Sequence, residues 1–380
     1  MFGFVTALPR RLTDTVRSFD WVLFGAAFAL AVLGLVTMNS FSGEDGFFEK
    51  QVVWLGVSVA LCFGVSVIDL RFLRRTGVVV VLYMLTVILL ALLFVLGSTF
   101  QGAESWFTIG GLSFQPVEPA KIVLIILLAK YFTRRHIEIA HIRHILLSGF
   151  YAFVLFALVF LQPDFGSAII LFAIWLGMVL VSGISQKHLI ALILIAGVTF
   201  IGMWTLVLQD YQKARITSFL DPFADIQGSG YNAYQSMVAV GSGEVMGKGI
   251  GYGTQSKLEF LPEYQTDFIF AAFAEEWGFV GVLVLFGLYG VLLWRILSAG
   301  LHGASNFETL FALGVAVYFM AHVIIHVGMN IGLLPVTGTT IPFMSYGGTH
   351  LVAEFTAIGM VIAMRKYWRE VEWEGVELDT

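Results

Sequence analysis

Ten long apolar stretches constrain this chain more than any other feature of its sequence. A helix rises 1.5 Å per residue, so about 20 apolar residues cross the hydrocarbon core of a bilayer. Stretches of roughly this length, one of them interrupted by lysines, lie at residues 21–39, 52–68, 78–96, 117–133, 145–161, 165–184, 188–207, 268–295, 309–333 and 343–364. The sequence therefore predicts an all-α integral membrane protein with about ten transmembrane helices, in a single membrane domain over residues 1–380.

The composition excludes several other classes of protein. Only 12% of the residues are charged and 58% are hydrophobic, which leaves too little polar sequence to cover a soluble domain. The single cysteine, Cys62, rules out a disulfide framework within the chain. A net charge of -5, spread along the chain, does not favour a nucleic-acid partner.

The distribution of basic residues predicts the orientation. Ten spans place both termini on one side of the membrane, and fifteen of the 21 Lys and Arg residues fall on that side. Because cytoplasmic loops collect Lys and Arg, we expect a multi-pass protein with both termini in the cytoplasm. Residues 208–267 then form a large extracytoplasmic loop between helices 7 and 8. Within this loop we expect residues 231–240 to form a short helix at the membrane interface.

Ionisable residues near the predicted spans are functional candidates, because they are costly in a bilayer. Glu118 and Lys121 are three residues apart on one helix face, where they form either a structural ion pair or part of an active cavity. Asp164 follows a proline at an external turn, where it either caps the next helix or contacts a substrate or cation.

Asp267 ends the long loop and opens the eighth predicted span. A helix cap is the simpler interpretation, but a carboxylate at the mouth of a membrane cavity can also accept a proton from a substrate hydroxyl. Glu263 lies one turn upstream and is a second candidate to shape the site. Of the adjacent Glu275 and Glu276, at most one faces the same cavity as Asp267.

Cationic and histidine side chains supply the remaining candidates. Arg215 and Lys248 are available on the external side to hold a phosphate, although each is also consistent with a solvated loop charge. His322 and His326 have the i, i+4 spacing that suits a metal, but helix packing is the favoured interpretation, and we predict no metal ligands among the protein side chains.

Four motifs make the family resemblance specific. They are QPVEPAK at 115–121, QPDFGSA at 162–168, GTQSKLEFLPE at 253–263 followed by TDFIFA at 266–271, and PFMSYGG at 342–348. Together they resemble the SEDS family (shape, elongation, division and sporulation), and the GTQSKLEFLPE run is similar to its rod-shape branch, RodA. Ser105 stands where relatives commonly have arginine, which is a departure from the family pattern.

The resemblance implies a peptidoglycan glycosyltransferase of the bacterial cytoplasmic (inner) membrane. Such an enzyme polymerises lipid II during cell elongation, with its active site facing the periplasm. It implies Asp267 as the essential acid and presumed general base, with Glu118, Lys121, Asp164 and Arg215 at matching polar positions. Its partners would be a class B penicillin-binding protein and membrane proteins of the elongation machinery. It leaves open a divalent cation, Mg²⁺ or Mn²⁺, and a rival function as a flippase for lipid-linked precursors.

Overall fold

Helices form at all ten predicted positions. The computed structural model describes residues 19–40, 46–100, 103–109, 112–133, 142–206, 208, 213, 217, 219–220, 230–258, 260–261 and 263–378. At the predicted positions lie α1 (Trp21–Ser40), α2 (Phe47–Val67), α3 (Thr76–Leu96), α4 (Val117–Thr133), α5 (Ile142–Leu161), α6 (Phe165–Val181), α7 (Gln186–Leu206), α10 (Ile269–Leu301), α11 (Asn306–Asn330) and α12 (Gly348–Leu378). The all-α membrane class is thereby confirmed.

Seven of these helices are long and apolar enough to cross a membrane on length and composition alone, namely α1, α2, α3, α5, α7, α10 and α11. Helices α4 and α6 have 17 residues each, and α12 carries the buried Glu354. The count of ten crossings therefore stays a prediction. In the described part of the chain α4, α6 and α11 pack on one another, α2 packs on α12, and α10 packs on α1 and α11.

Outside the ten long helices, the described residues form a small sheet, two short helices and one 3₁₀ helix. A three-stranded antiparallel sheet follows α3 and consists of β1 (Ser98–Phe100), β2 (Ala103–Ile109) and β3 (Leu112–Phe114). In the predicted external loop lie α8 (Tyr231–Ser242), which confirms the short helix expected there, and the four-residue α9 (Thr254–Lys257). A short 3₁₀ helix, Leu70–Arg74, connects α2 to α3.

Helix α10 is interrupted at Gly278, which has φ 65° and ψ -168°. The segment 244–249 fills the break with its backbone. The hydrogen bonds that replace those of the helix run from Phe279 N to Glu244 O (2.9 Å), Val280 N to Val245 O (3.1 Å), Lys248 N to Glu275 O (3.0 Å) and Gly249 N to Glu276 O (3.0 Å). Because a membrane offers no water to unpaired backbone groups, this exchange is what permits a broken helix here.

Glycine is required on both sides of this joint. A Cβ at Gly278 would lie 2.2 Å from the backbone N of Gly247, and a Cβ at Gly247 would lie 2.1 Å from the carbonyl oxygen of Glu276.

Toward the other end of α10, Arg295 binds the buried Asp20 at 2.6 Å, and Arg365 of α12 binds the same carboxylate. The buried carboxylate just before α1 thus joins α1 to α10 and α12.

Candidate active site

Asp267 lies at the end of a tight turn that begins at Glu263 and leads into α10. The carbonyl oxygen of Glu263 accepts hydrogen bonds from the backbone N–H groups of Thr266 (3.1 Å), Asp267 (3.1 Å) and Phe268 (3.3 Å). Glu263 has φ 53°, in the left-handed region that few side chains adopt. Its carboxylate accepts a hydrogen bond from the Thr266 hydroxyl at 3.3 Å. Glu263 thus shapes the turn that presents Asp267.

Two other segments fix this turn in place. The amide of Asn330, the last residue of α11, donates to the carbonyl oxygen of Asp267 at 3.1 Å. The hydroxyl of Ser345 donates to the carbonyl oxygen of Thr266 at 2.8 Å. The backbone beneath the Asp267 carboxylate is therefore held from both α11 and the loop before α12, which is the kind of preorganisation a catalytic group needs.

The segment 337–340, which we call the strap, lies next to the Asp267 carboxylate. Its sequence is Thr337-Gly338-Thr339-Thr340. Thr337 and Thr339 are buried, whereas Gly338 between them is exposed and has φ +70°. A Cβ at Gly338 would lie 3.4 Å from Oδ2 of Asp267. The strap has no ionisable side chain, so the search of the sequence for ionisable residues did not identify it.

Two histidines of α11 hold the strap by its backbone. The Nδ1 atom of His326 lies 2.7 Å from the carbonyl oxygen of Thr339, and Nδ1 of His322 lies 3.0 Å from that of Thr340. In each case the ring N–H is the donor, since a carbonyl only accepts. The i, i+4 spacing therefore serves to anchor two consecutive carbonyl groups. The Thr340 hydroxyl also lies 2.9 Å from Nε2 of His350.

Glu118 and Lys121 belong to a buried polar chain that joins α4 to α12. The Lys121 ammonium lies 2.8 Å from Glu118 and 3.4 Å from Nε2 of His322. The other Glu118 oxygen lies 2.8 Å from Nδ1 of His350, whose Nε2 lies 2.8 Å from Glu354. The His350 ring is positively charged only when both of its nitrogens carry a proton. Two positive charges then offset two negative ones.

Asp164 caps the N-terminus of α6, which is the first of the two roles expected from its position. Its Oδ1 accepts the backbone N–H of Ser167 at 3.0 Å, and its Oδ2 accepts the side-chain amide of Gln115 at 3.2 Å. Burial raises the pKa of the Asp164 carboxyl, while the hydrogen bonds from Ser167 act in the opposite direction. The capped helix end abuts the strap, since a Cβ at Gly166 would lie 2.7 Å from the carbonyl oxygen of Thr337.

Lys248 lies elsewhere. Its ammonium binds the buried Glu275 at 2.7 Å and the Thr254 hydroxyl at 2.8 Å, so it fastens the segment 248–254 to α10. Arg215 lies outside the described residues. Ser105, on β2, is buried. Of the predicted site residues, Asp267, Asp164, Glu118 and Lys121 thus gather around the strap and its anchors, Glu263 shapes the adjoining turn, and Lys248 does not join them.

Fold and site together define a polytopic membrane protein whose polar groups converge on one loop region. The family model described as cell cycle protein, FtsW/RodA/SpoVE, matches residues 15–370. The chain therefore belongs to the FtsW/RodA/SpoVE family, and the resemblance seen in the sequence is confirmed.

Curated relatives and solved structures agree. The chain is 33% identical over 376 residues, 95% of both chains, to the probable peptidoglycan glycosyltransferase FtsW of Thiomicrospira cyclica. It is 34% identical over 341 residues to the peptidoglycan glycosyltransferase MrdB of Escherichia coli K12, covering 89% of this chain and 91% of MrdB. The enzyme class, a peptidoglycan glycosyltransferase, is confirmed by these relatives. Both branch names occur at similar identity, so the rod-shape assignment stays a prediction.

Among the solved structures that match this chain, two that each cover 92% of it are informative. One is titled a peptidoglycan synthase complex that coordinates polymerization and crosslinking, with TM-score 0.79, 32% identity and 98% of that chain covered. The other is the rod shape determining protein RodA of Thermus thermophilus, with TM-score 0.68, 31% identity and 97% of that chain covered. Multi-pass membrane placement follows from the apolar helices and these relatives.

Proposed function

We propose that this protein polymerises lipid II into glycan strands at the periplasmic face of the cytoplasmic membrane during cell elongation, with Asp267 as the general base. The observation that supports the base assignment most is the fixed turn at Asp267, whose carboxylate lies against the exposed Gly338. A base needs this combination of a rigid backbone and an open side on which a substrate can lie.

In the proposed reaction the 4-hydroxyl oxygen of an acceptor sugar attacks the anomeric carbon of a donor linked to polyprenyl pyrophosphate. The hydroxyl proton passes to Asp267, and the pyrophosphate leaves with the electrons of the broken carbon–oxygen bond. A cationic group stabilises the departing charge. Arg215 is proposed for this role, because Lys248 is already paired with Glu275.

We propose that a divalent cation in this site would take most of its ligands from the substrate. Among the described residues, no group of three or more His, Cys, Asp or Glu side chains is placed to hold a metal. Mg²⁺ commonly binds through one or two carboxylates together with substrate phosphates. Asp267 would therefore supply a protein ligand and the pyrophosphate most of the others, and the ion would add positive charge near the leaving group.

The proposed partner is a class B penicillin-binding protein, which cross-links the product, together with membrane proteins of the elongation machinery. The structural relative solved as a peptidoglycan synthase complex supports such a partnership. The GTQSKLEFLPE run supports elongation over division, and complementation tests it. We expect the gene to restore rod shape in cells depleted of their elongation polymerase, and rescue of division-polymerase depletion alone would contradict the assignment.

The base assignment is tested by forming glycan from purified, labelled lipid II, with and without the partner. We expect Asp267→Asn to lose at least about 100-fold in rate at normal membrane levels, since a general base contributes about 10² to 10⁴. Glu244→Gln is the matched control, because it neutralises an exposed carboxylate of the same external segment. Retained polymerisation in Asp267→Asn would refute the assignment, and no polymer from folded wild type with a competent partner would favour lipid-linked precursor transport.

A further inference from the structure

Gly338 combines three properties that call for an explanation. It is exposed although both neighbouring threonines are buried, it has φ +70°, and its open side faces the Asp267 carboxylate. Apart from Gly338 itself and its chain neighbours Thr337 and Thr339, the described residues place one atom within 4 Å of a Cβ built there, Oδ2 of Asp267. The space beside the carboxylate on this side is therefore bounded by bare backbone.

Packing against the described residues does not account for this open face. At some other left-handed glycines a side chain would also collide with the protein. Examples are Gly247, where a Cβ would lie 2.1 Å from Glu276 O, and Gly332, where it would lie 2.5 Å from the sulfur of Met237. At Gly338 the described residues leave room for such a Cβ, next to the proposed base.

We propose that the backbone at Gly338 is the surface on which the acceptor sugar lies, and that His326 positions this surface. The proposal deepens the proposed function and rests on Asp267 as the base. A general base must come within about 2.6–3.2 Å of the hydroxyl oxygen whose proton it takes. A hexosamine ring whose hydroxyl is this close to Asp267 Oδ2, on the open side, has to pass over Gly338, and a side chain there would occupy its place.

His326 is suited to hold the strap in this position. The side chain is fully buried, and its Nδ1 donates to the carbonyl oxygen of Thr339 at 2.7 Å. Its Nε2 has no hydrogen-bond partner among the described residues. Among those residues, the bond from Nδ1 to Thr339 is therefore the hydrogen bond that this ring makes. By drawing the Thr339 carbonyl toward α11, His326 leaves Gly338 turned toward Asp267. It acts through the strap and is a positioning residue.

The first test measures initial rates of glycan formation at increasing lipid II concentration for Gly338→Ala and for Gly183→Ala. Gly183 is the matched control: it has φ +93° and nothing within 4 Å of a Cβ, so it incurs a similar left-handed backbone cost far from Asp267 along the chain. We expect Gly338→Ala to lower kcat/KM at least tenfold, mainly through KM, and Gly183→Ala to stay within twofold of wild type. A Gly338→Ala rate within twofold of the control overturns the proposal.

Asp267→Asn, assayed in parallel, separates this proposal from the one on which it rests. If Asp267→Asn is inactive and Gly338→Ala is normal, only the acceptor surface is wrong. If Asp267→Asn polymerises normally, the base assignment itself fails.

The second test addresses His326. In His326→Asn the amide nitrogen can occupy the place of Nδ1 and donate to Thr339, whereas His326→Leu has no donor. We expect the leucine variant to raise KM for lipid II several-fold and the asparagine variant to recover most of the loss at equal membrane levels. Equal effects of the two substitutions would contradict the positioning role. If neither variant accumulates, the Gly338 comparison still decides the acceptor surface.

Discussion

The buried ion pair between Glu118 and Lys121 makes a quantitative prediction. Both side chains are almost fully buried, at 4% and 1% exposure, and their charges are balanced by His350 and Glu354. Lys121→Met or Glu118→Gln alone leaves an odd charge in this chain. Breaking a buried pair costs about 3–5 kcal/mol, which is a large part of the roughly 5–15 kcal/mol that stabilises a typical folded protein. We expect each single variant to accumulate poorly and to unfold early.

The double variant restores the balance, because His350 and Glu354 then remain as one neutral pair. Its stability should lie within about 2 kcal/mol of wild type, so the two substitutions should be strongly non-additive. The assay is unfolding of detergent-purified protein at one fixed scan rate, in a double-mutant cycle, with glycan formation measured on each variant that folds. Strict additivity of the two losses would refute the charge-balance reasoning.

The same cycle separates the two roles that the sequence left open for this pair. A folded and active double variant identifies a purely structural ion pair. A folded but inactive one shows that the cavity itself needs the Lys121 ammonium or the Glu118 carboxylate.

Two further predictions concern the broken helix α10. Gly278→Ala would force a backbone conformation that is essentially restricted to glycine, at a cost of about 1–3 kcal/mol, and would push the segment 244–249 out of the break. We expect a fall of several degrees in apparent melting temperature. The control Gly287→Ala should change it little, because nothing lies within 4 Å of a Cβ there. Equal melting temperatures of the two variants would show that the break in α10 does not require glycine. Lys248→Met leaves the buried Glu275 without its ammonium partner. In the same thermal scan it should be more destabilised than the double variant Lys248→Met with Glu275→Gln. Equal stability of the single and the double variant would show that the unpaired Glu275 charge has no cost.

The helices were the most predictable part of the fold. Each predicted span coincides with a helix, because the cost of polar groups in hydrocarbon acts on every stretch of sequence separately. The last predicted span began too early, at 343, whereas α12 begins at Gly348. Phe343 has φ 65°, and its backbone N–H binds Glu354 at 2.7 Å, a contact that hydropathy cannot reveal. The strands of the small sheet, of three and seven residues, were too short to give a pattern.

Within the site, the sequence identified ionisable residues but not their arrangement. Asp267, Glu118, Lys121 and Asp164 were found because a charge is conspicuous among apolar residues. The strap, with its threonines and one glycine, is chemically inconspicuous. The role of His350 was missed because its partner Glu118 lies 232 positions away along the chain. A contact between such distant residues leaves no pattern in the local sequence.

The sequence by itself therefore determined that this protein is a helical membrane protein of the FtsW/RodA/SpoVE family with a carboxylate just before the helix α10. Those properties depend on local apolarity and on short motifs, which can be read one segment at a time. The tertiary structure alone decided that the charges of α4 and α12 cancel, that the histidines of α11 hold a strap, and that the open side of this strap faces Asp267. Each of these depends on pairing between distant segments, where geometry in three dimensions decides which polar groups meet.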